Sequence, residues 1–514
     1  MVIRYYLGVS PRWYQQALYA LELLFEGLGV AGQPVASPAD ADLVYTPVRP
    51  STMPLQAVWM AADPVADWTQ QPCTHTPYQG IPVLYGHRLP VGFSTHDLFC
   101  DLLYATFAVA TGGWLHGGPR NAWGIPLAND QPLLKRPLVA QYARLLGERL
   151  QRVAGRRWAP HPRWPDGKRY AVVLSHDVDR PFLRPEAAFY RERIRRDVAK
   201  GQWQAATRAA AGWLRTAWTY GPVPAPEADP NFCFAAWQAM EHPLRARSCF
   251  YVATVNAAEA RGLPHDVAYR YDHPALVRAL HQALEAGWEV GLHASLEAWK
   301  DPQRFVEEKH RLESVLGGHA VAGVRHHHWA LDPVHPERTW QAQAEAGFCY
   351  DSSLGLNDAP GYRNGMVWPF NPFDPTTASP VDLLQVPPTL MDGGIFYHPV
   401  TAEAAEAHLR SHFQQVFAEG GAVVLDWHLE QLNPARLQGA GPILLRVLAD
   451  LAADSDIYWA SPFELATWWQ ERRRRIAAAT PAGHPAHRQR PARRHPLHTR
   501  IDRNPTDADF KRKL

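Results

Sequence analysis

Tyr170-Ala171-Val172-Val173-Leu174-Ser175-His176-Asp177-Val178-Asp179-Arg180-Pro181 is the stretch from which the fold is read. The unbroken apolar run Tyr170 to Leu174 predicts a strand buried on both faces, the signature of a parallel sheet. Two carboxylates and a histidine follow where that strand runs out. In parallel α/β sheets and barrels the carboxyl ends of the strands are where ligands bind. Asp177 and Asp179 are two positions apart and so share a face if the strand continues. One can then hold a metal while the other accepts a proton from the attacking water. A turn in which both aspartates cap backbone amides is the competing reading.

The chain of 514 residues is too long for one ordinary core, so two domains with appendages are expected. With 46% hydrophobic and 20% charged residues it has a globular composition, and a net charge of +2 points to no particular partner. No apolar run is long enough to span a bilayer. The first residues, Met1-Val2-Ile3-Arg4-Tyr5-Tyr6, lack the basic and apolar regions of a signal peptide. The five cysteines are scattered without metal-type spacing, as expected of buried thiols in a reducing compartment. A cytoplasmic location is the expectation from these features.

Residues 1–155 alternate strand-like and helix-like runs and are expected to form a smaller α/β domain of unknown role, with no chemical motif. A proline-rich connection, Trp158 to Pro165, leads to a second domain over 168–471, within which 182–230 reads as an insertion. From Arg472-Arg473-Arg474-Arg475 onward the chain is cationic and rich in proline and histidine. Residues 472–514 are expected to be a disordered basic tail, solvated and without a nucleic-acid role.

Each apolar run of the second domain ends in ionisable residues. Ser248–Ala253 is a strand. Trp288–Leu292 ends at His293, and Ala320–Val324 ends at Arg325-His326-His327-His328. Phe348–Tyr350 ends at Asp351, Leu383–Val386 leads towards Asp392, and Ala422–Leu425 ends at Asp426-Trp427-His428. Helix-like segments separate them, opened by Pro274 and by Asp301-Pro302. Alternation of this kind predicts an α/β fold with a parallel sheet closed as a barrel. Capping alone does not account for so many strand-end acids and histidines, which points to an active site.

The set resembles the polysaccharide deacetylase family (NodB-homology, carbohydrate esterase family 4), over about three-fifths of the chain from Lys168 to Trp469. It is similar to a bacterial subgroup whose first motif reads Thr-His-Asp-Val-Asp and whose members carry an uncharacterised α/β domain in front. The resemblance implies a distorted (β/α) barrel and a divalent metal, usually zinc. It also implies hydrolysis of the acetyl amide of an N-acetylated sugar. By the same resemblance Asp177 is the general base, Asp179 and His293 are metal ligands, Arg325 orients the base, and His428 protonates the leaving amine. The chain departs from the family's second motif, since His293-Ala294-Ser295-Leu296-Glu297 places Glu297 where a second ligand histidine is expected. Two residues can supply the third ligand. His327 is preferred because it shares the parity of Arg325. Glu297 is the other, one helical turn from His293.

Trp329 and Trp427, beside the site residues, together with Asp351 are the expected substrate contacts. Tyr350–Asp358 with Gly361-Tyr362-Arg363 reads as a substrate-facing loop or as a polar turn, and Trp368 and Asp392 are further candidates. The expected function is removal of an acyl group from an N-acylated, sugar-derived small molecule. Two alternatives stand beside it: a non-sugar amidase on the same scaffold, and a degenerate sugar-binding or scaffold protein without metal.

Overall fold

The computed structural model describes all residues except 63–73, 86–96, 99, 184–193, 196, 221–227, 256–265, 268, 435 and 479–514. Part of the expected insertion and the end of the expected tail lie outside the described residues.

The amino-terminal part is built on a parallel sheet of β1 (Val2–Leu7), β2 (Ala31–Pro34), β3 (Leu43–Thr46) and β4 (Val58–Ala61), in the order β2-β1-β3-β4. Every residue of β3 and β4 is buried, which suits their runs of branched and aromatic side chains. An antiparallel hairpin, β5 (His75–Tyr78) and β6 (Ile81–Leu84), adjoins it. Three helices, Pro11–Leu28, Leu102–Thr111 and Leu138–Ala154, accompany the sheet.

The second part contains β7 (Tyr170–Val173), β8 (Ser175–Val178), β9 (Cys249–Val252), β10 (Glu289–Ala294), β11 (Gly323–His326) and β12 (Tyr350–Asp351). After a short hairpin of β13 (Phe373–Asp374) and β14 (Ser379–Pro380) come β15 (Leu384–Gln385), β16 (Leu390–Met391), β17 (Ala422–Asp426) and β18 (Ile457–Ala460). They pair in parallel as two sheets, β15-β12-β11-β10-β9-β8 and β16-β17-β7-β18. Among the described strands no ladder joins the two sheets, which meet where β7 leads into β8. Leu174 is where the chain passes from one sheet to the other. The seam is held by Trp427 N–H donating to Ser175 O (3.0 Å) and by Ser175 Oγ donating to Leu425 O (2.5 Å). The helix Pro302–Val315 is capped by Asp301 as expected, whereas Pro274–Glu285 is capped by His273, whose ring accepts from Ala275 N–H.

One hydrophobic cluster runs from Ile3 to Trp469, so residues on both sides of position 155 share a core. Tyr19 donates to Asn371 O (2.8 Å) and Asn364 Nδ2 to Ala110 O (2.6 Å) across that division. The start of the expected tail needs correction. Arg472–Arg475 lie within the helix Pro462–Ala478, and Arg472 is 1% exposed. Its guanidinium donates to Pro162 O (2.8 Å) and Glu26 O (2.7 Å), while Arg473 pairs with Glu26 and Asn371. The first two arginines of the run, Arg472 and Arg473, thus hold Glu26 of the amino-terminal part, while Arg474 and Arg475 are exposed and pair with Glu471 of their own helix.

Candidate active site

The motif after Leu174 is itself a strand, and its alternation sorts the side chains. Ser175 and Asp177 face one way, towards Arg325 on β11, whose Nη2 donates to Ser175 Oγ (2.8 Å) and Nη1 to Asp177 Oδ1 (2.8 Å). His176 faces the other way, between Glu241 Oε1 (2.7 Å) and Trp427 O (2.7 Å), stacked on Trp237. Its role is to tie the sheet to the helix behind it. Parallel register sets His293 on β10 directly beside Arg325.

Asp179, just past β8, is the point of convergence. His293 Nε2 lies 3.2 Å from its Oδ1, while His327 Nε2 (3.6 Å) and His428 Nε2 (3.5 Å) face its Oδ2. Potential ligand atoms of Asp179, His293 and His327 all lie within 4.8 Å of one another. Each imidazole is oriented from behind. His293 Nδ1 is 3.1 Å from Arg325 O, His327 Nδ1 is 3.0 Å from Asp266 Oδ1, and His428 Nδ1 is 3.0 Å from both Asp392 oxygens. For His293 and His327 such partners favour the ring proton on Nδ1 and leave Nε2 with a lone pair, the arrangement metal-bound histidines adopt, whereas His428 has a carboxylate at each nitrogen, Asp392 at Nδ1 and Asp179 at Nε2. His293 Nε2 and Asp179 Oδ1 are buried and have no hydrogen-bond partner of their own. Two imidazole nitrogens, a carboxylate and orphaned buried atoms fit a divalent cation.

Of the two residues the sequence offers as a third ligand, His327 is the one that lies with Asp179 and His293. The strand stops at His326, and His327 is presented by a turn in which His328 (φ 55°) and Trp329 (φ 57°) both take left-handed conformations. Glu297 is turned outward, pairing with Lys300 Nζ at 2.6 Å. Asp177, Asp426 and His428 form a second cluster of similar span. Arg325 Nη1 already stands between its two carboxylates, at 2.8 Å and 3.1 Å, so a cation occupies that position in the form of a side chain. Asp266 carries no sequence signal that marks it. Asp392, named as a candidate from the sequence, is the group that holds His428.

Burial alone would raise the Asp177 carboxyl, but Arg325 and then His293 hold it below its usual value. Asp426 goes the other way, pushed up to about 8 by burial and by the like charge of Asp177. Burial would lower His428, yet Asp392 and Asp179 raise it well above the ordinary imidazole value. The site therefore offers a charged carboxylate and a protonated imidazole on either side of Asp179, a base and an acid in one cleft.

The three expected substrate contacts are buried. Trp427 is 0% exposed, and Asp351, also 0%, accepts from Ser353 Oγ (2.5 Å) and Gln343 Nε2 (3.2 Å). Trp329, 3% exposed, packs its ring against Gly355 and lies 5.4 Å from the Arg325 guanidinium. Trp368 packs on Gly27 of the amino-terminal part, away from the site.

No family model matches the sequence, and no curated protein matches it. Among solved structures the chain is similar to a protein from Mycobacterium smegmatis assigned to the polysaccharide deacetylases, at 20% identity and a TM-score of 0.39, covering 60% of this chain and 93% of that one. It is similar to an allantoinase at 14% identity and a TM-score of 0.38, over 61% of this chain and 94% of that chain. A polysaccharide deacetylase from Bacillus cereus aligns at 13% identity and a TM-score of 0.26, over 44% and 84% of the respective chains.

Proposed function

We propose that the chain is a divalent-metal-dependent hydrolase that removes an acyl group, acetyl above all, from an N-acylated carbohydrate. The observation that carries this reading is the meeting of Asp179, His293 and His327 at one point, with Asp177 and His428 beside it. A cation there, zinc by the preference of an imidazole-rich site, would supply Lewis acidity for the acyl oxygen and acidify water. Asp177, kept charged by Arg325, accepts the proton of the water that attacks the acyl carbon. His428, kept protonated by Asp392, gives its proton to the nitrogen as the C–N bond breaks, leaving a carboxylate and a free amine. Arg325 makes no contact in this scheme except with protein groups, and acts by fixing Asp177. The sugar is the part of the reading that rests on the family resemblance.

Two substitutions test the division of labour. Asp177→Asn should keep zinc and lose about 10²–10⁴-fold in acetate release from N-acetylglucosamine oligomers, as loss of a general base does. Asp179→Asn should lose the zinc itself. Zinc loss in the Asp177 variant alone would reverse the two roles, and full turnover in both would end the proposal.

A further inference from the structure

The amino-terminal part reaches the site through one turn. Asn121 Oδ1 accepts from the N–H groups of Trp123 (3.0 Å) and Ile125 (2.9 Å), fixing the turn, and Asn121 Nδ2 donates to Asn357 Oδ1 (3.3 Å) in the loop after β12. Trp123 stacks on His328 at 4.0 Å with 10° between planes, and His328 stacks on His327 at 4.0 Å. The ring of Trp123 is thus two stacking steps from the point where Asp179, His293 and His327 meet.

Two guanidiniums flank this stack. Arg120, exposed, donates to Gly124 O (2.7 Å) and Leu115 O (3.5 Å). Arg363, half-buried in the loop that the sequence marks as substrate-facing, donates through Nη1 to Trp329 O (3.4 Å) and Ser353 O (3.5 Å). All four acceptors are neutral carbonyls, and among the described residues neither arginine has a carboxylate within ion-pair distance. Arg325, by contrast, has two. The Arg363 charge is held at a cost, its pKa pushed down to about 9 by burial and then by the like charge of Arg120, against a smaller opposing pull from Asp351. Guanidiniums whose hydrogen bonds all go to carbonyl oxygens, with N–H groups to spare, match the oxygens of an arriving anion.

We propose that Arg120 and Arg363 form an anion subsite beside the acyl-transfer point, so that the substrate is an N-acylated sugar carrying a carboxylate or phosphate, with Trp123 alongside. This rests on the hydrolase reading above and narrows its substrate class. The arginines select the charged substituent by bidentate hydrogen bonds.

The test uses the full-length, zinc-loaded protein and three probes: N-acetylglucosamine, its 6-phosphate, and N-acetylmuramic acid. At least one charged probe should exceed the neutral one by about 10–100-fold in kcat/KM, chiefly through KM, the range of one or two charge-assisted hydrogen bonds. Whichever charged probe wins identifies phosphate or carboxylate as the source. Arg120→Met and Arg363→Met should each collapse the preference, and Arg363→Lys should restore part of it. Arg120 is exposed, so its variant is informative even if Arg363→Met fails to fold. Calorimetric titration of the same probes into Asp177→Asn protein separates binding from turnover. Charged probes that bind through the arginines without being hydrolysed would keep the subsite and remove the hydrolase reading. Equal use of all three, or a preference that survives both methionine variants, would overturn the subsite and leave arginines that merely brace backbone carbonyls.

Discussion

Replacing Arg325 by methionine removes the positive charge that stands between two buried carboxylates. Arg325 is 0% exposed and pairs with Asp177 (2.8 Å) and Asp426 (3.1 Å), with further N–H groups donated to Ser175 Oγ (2.8 Å), Ser352 Oγ (2.9 Å) and Ser352 O (3.1 Å). Stripping one partner from a buried ion pair costs about 3–5 kcal/mol, because the charge left behind has lost both water and counterion. That is a large share of the ~5–15 kcal/mol that holds an ordinary domain together. The loss depends on pH. In the native protein Arg325 holds Asp177 low, a contribution present above its unfolded value and lost as pH falls below that value through the lowered folded one. Without Arg325, both carboxyls are raised by burial and by each other. The variant therefore binds protons more tightly folded than unfolded, and its stability falls as pH rises. Urea denaturation in the presence of a chelator should find Arg325→Met weaker by about 3–5 kcal/mol at pH 8 and by distinctly less at pH 5. Adding Asp426→Asn removes one of the stranded charges and should recover about 1–3 kcal/mol at pH 8. A loss below about 1 kcal/mol, or the same loss at both pH values, would refute the reasoning.

His327→Ala should abolish tight zinc binding in a chelator competition, whereas Glu297→Gln, whose carboxylate pairs with Lys300 at the surface, should leave it unchanged. Glu289 is pushed up to about 7 by burial while accepting from Tyr350 Oη (2.5 Å) and Phe463 N (3.0 Å). A raised carboxyl stabilises most below its unfolded pKa and loses that contribution as pH climbs through about 7. Glu289→Gln should therefore shrink the difference in unfolding free energy between pH 5 and pH 8 by about 1–3 kcal/mol. Gly355→Ala would put a methyl group 2.7 Å from the Trp329 ring, and its urea midpoint should fall by the equivalent of about 1–3 kcal/mol.

The strand–helix alternation was legible because parallel strands buried on both faces are continuous apolar runs, and proline opens the helices between them. Asp177, Asp179, His293, Arg325, His327 and His428 could be picked out because each sits at or just beyond such a run. Other features left no local signal. Ser175–Val178 reads as a loop because its side chains are polar, yet it is a strand whose polar groups are met by Arg325 and Glu241. Two-residue strands such as β12, β15 and β16 are too short to show a period. Asp266 reaches His327 from 61 residues away, a pairing that only the fold creates. Arg472 lies in a charge run, and composition alone cannot tell that its guanidinium is satisfied by distant carbonyls. Tryptophans beside the candidate residues in sequence suggest substrate contact, but Trp427, on the strand-end segment Asp426–His428, is packed into the core while its neighbour His428 faces Asp179.

The location of bound zinc tests the account most directly. A crystal of the full chain soaked in zinc and measured at the metal's absorption edge should give one strong anomalous peak, about 2.0–2.2 Å from Asp179 and from Nε2 of His293 and His327. A peak between Asp177, Asp426 and His428 with Arg325 displaced, or no peak in the cleft at all, would contradict it.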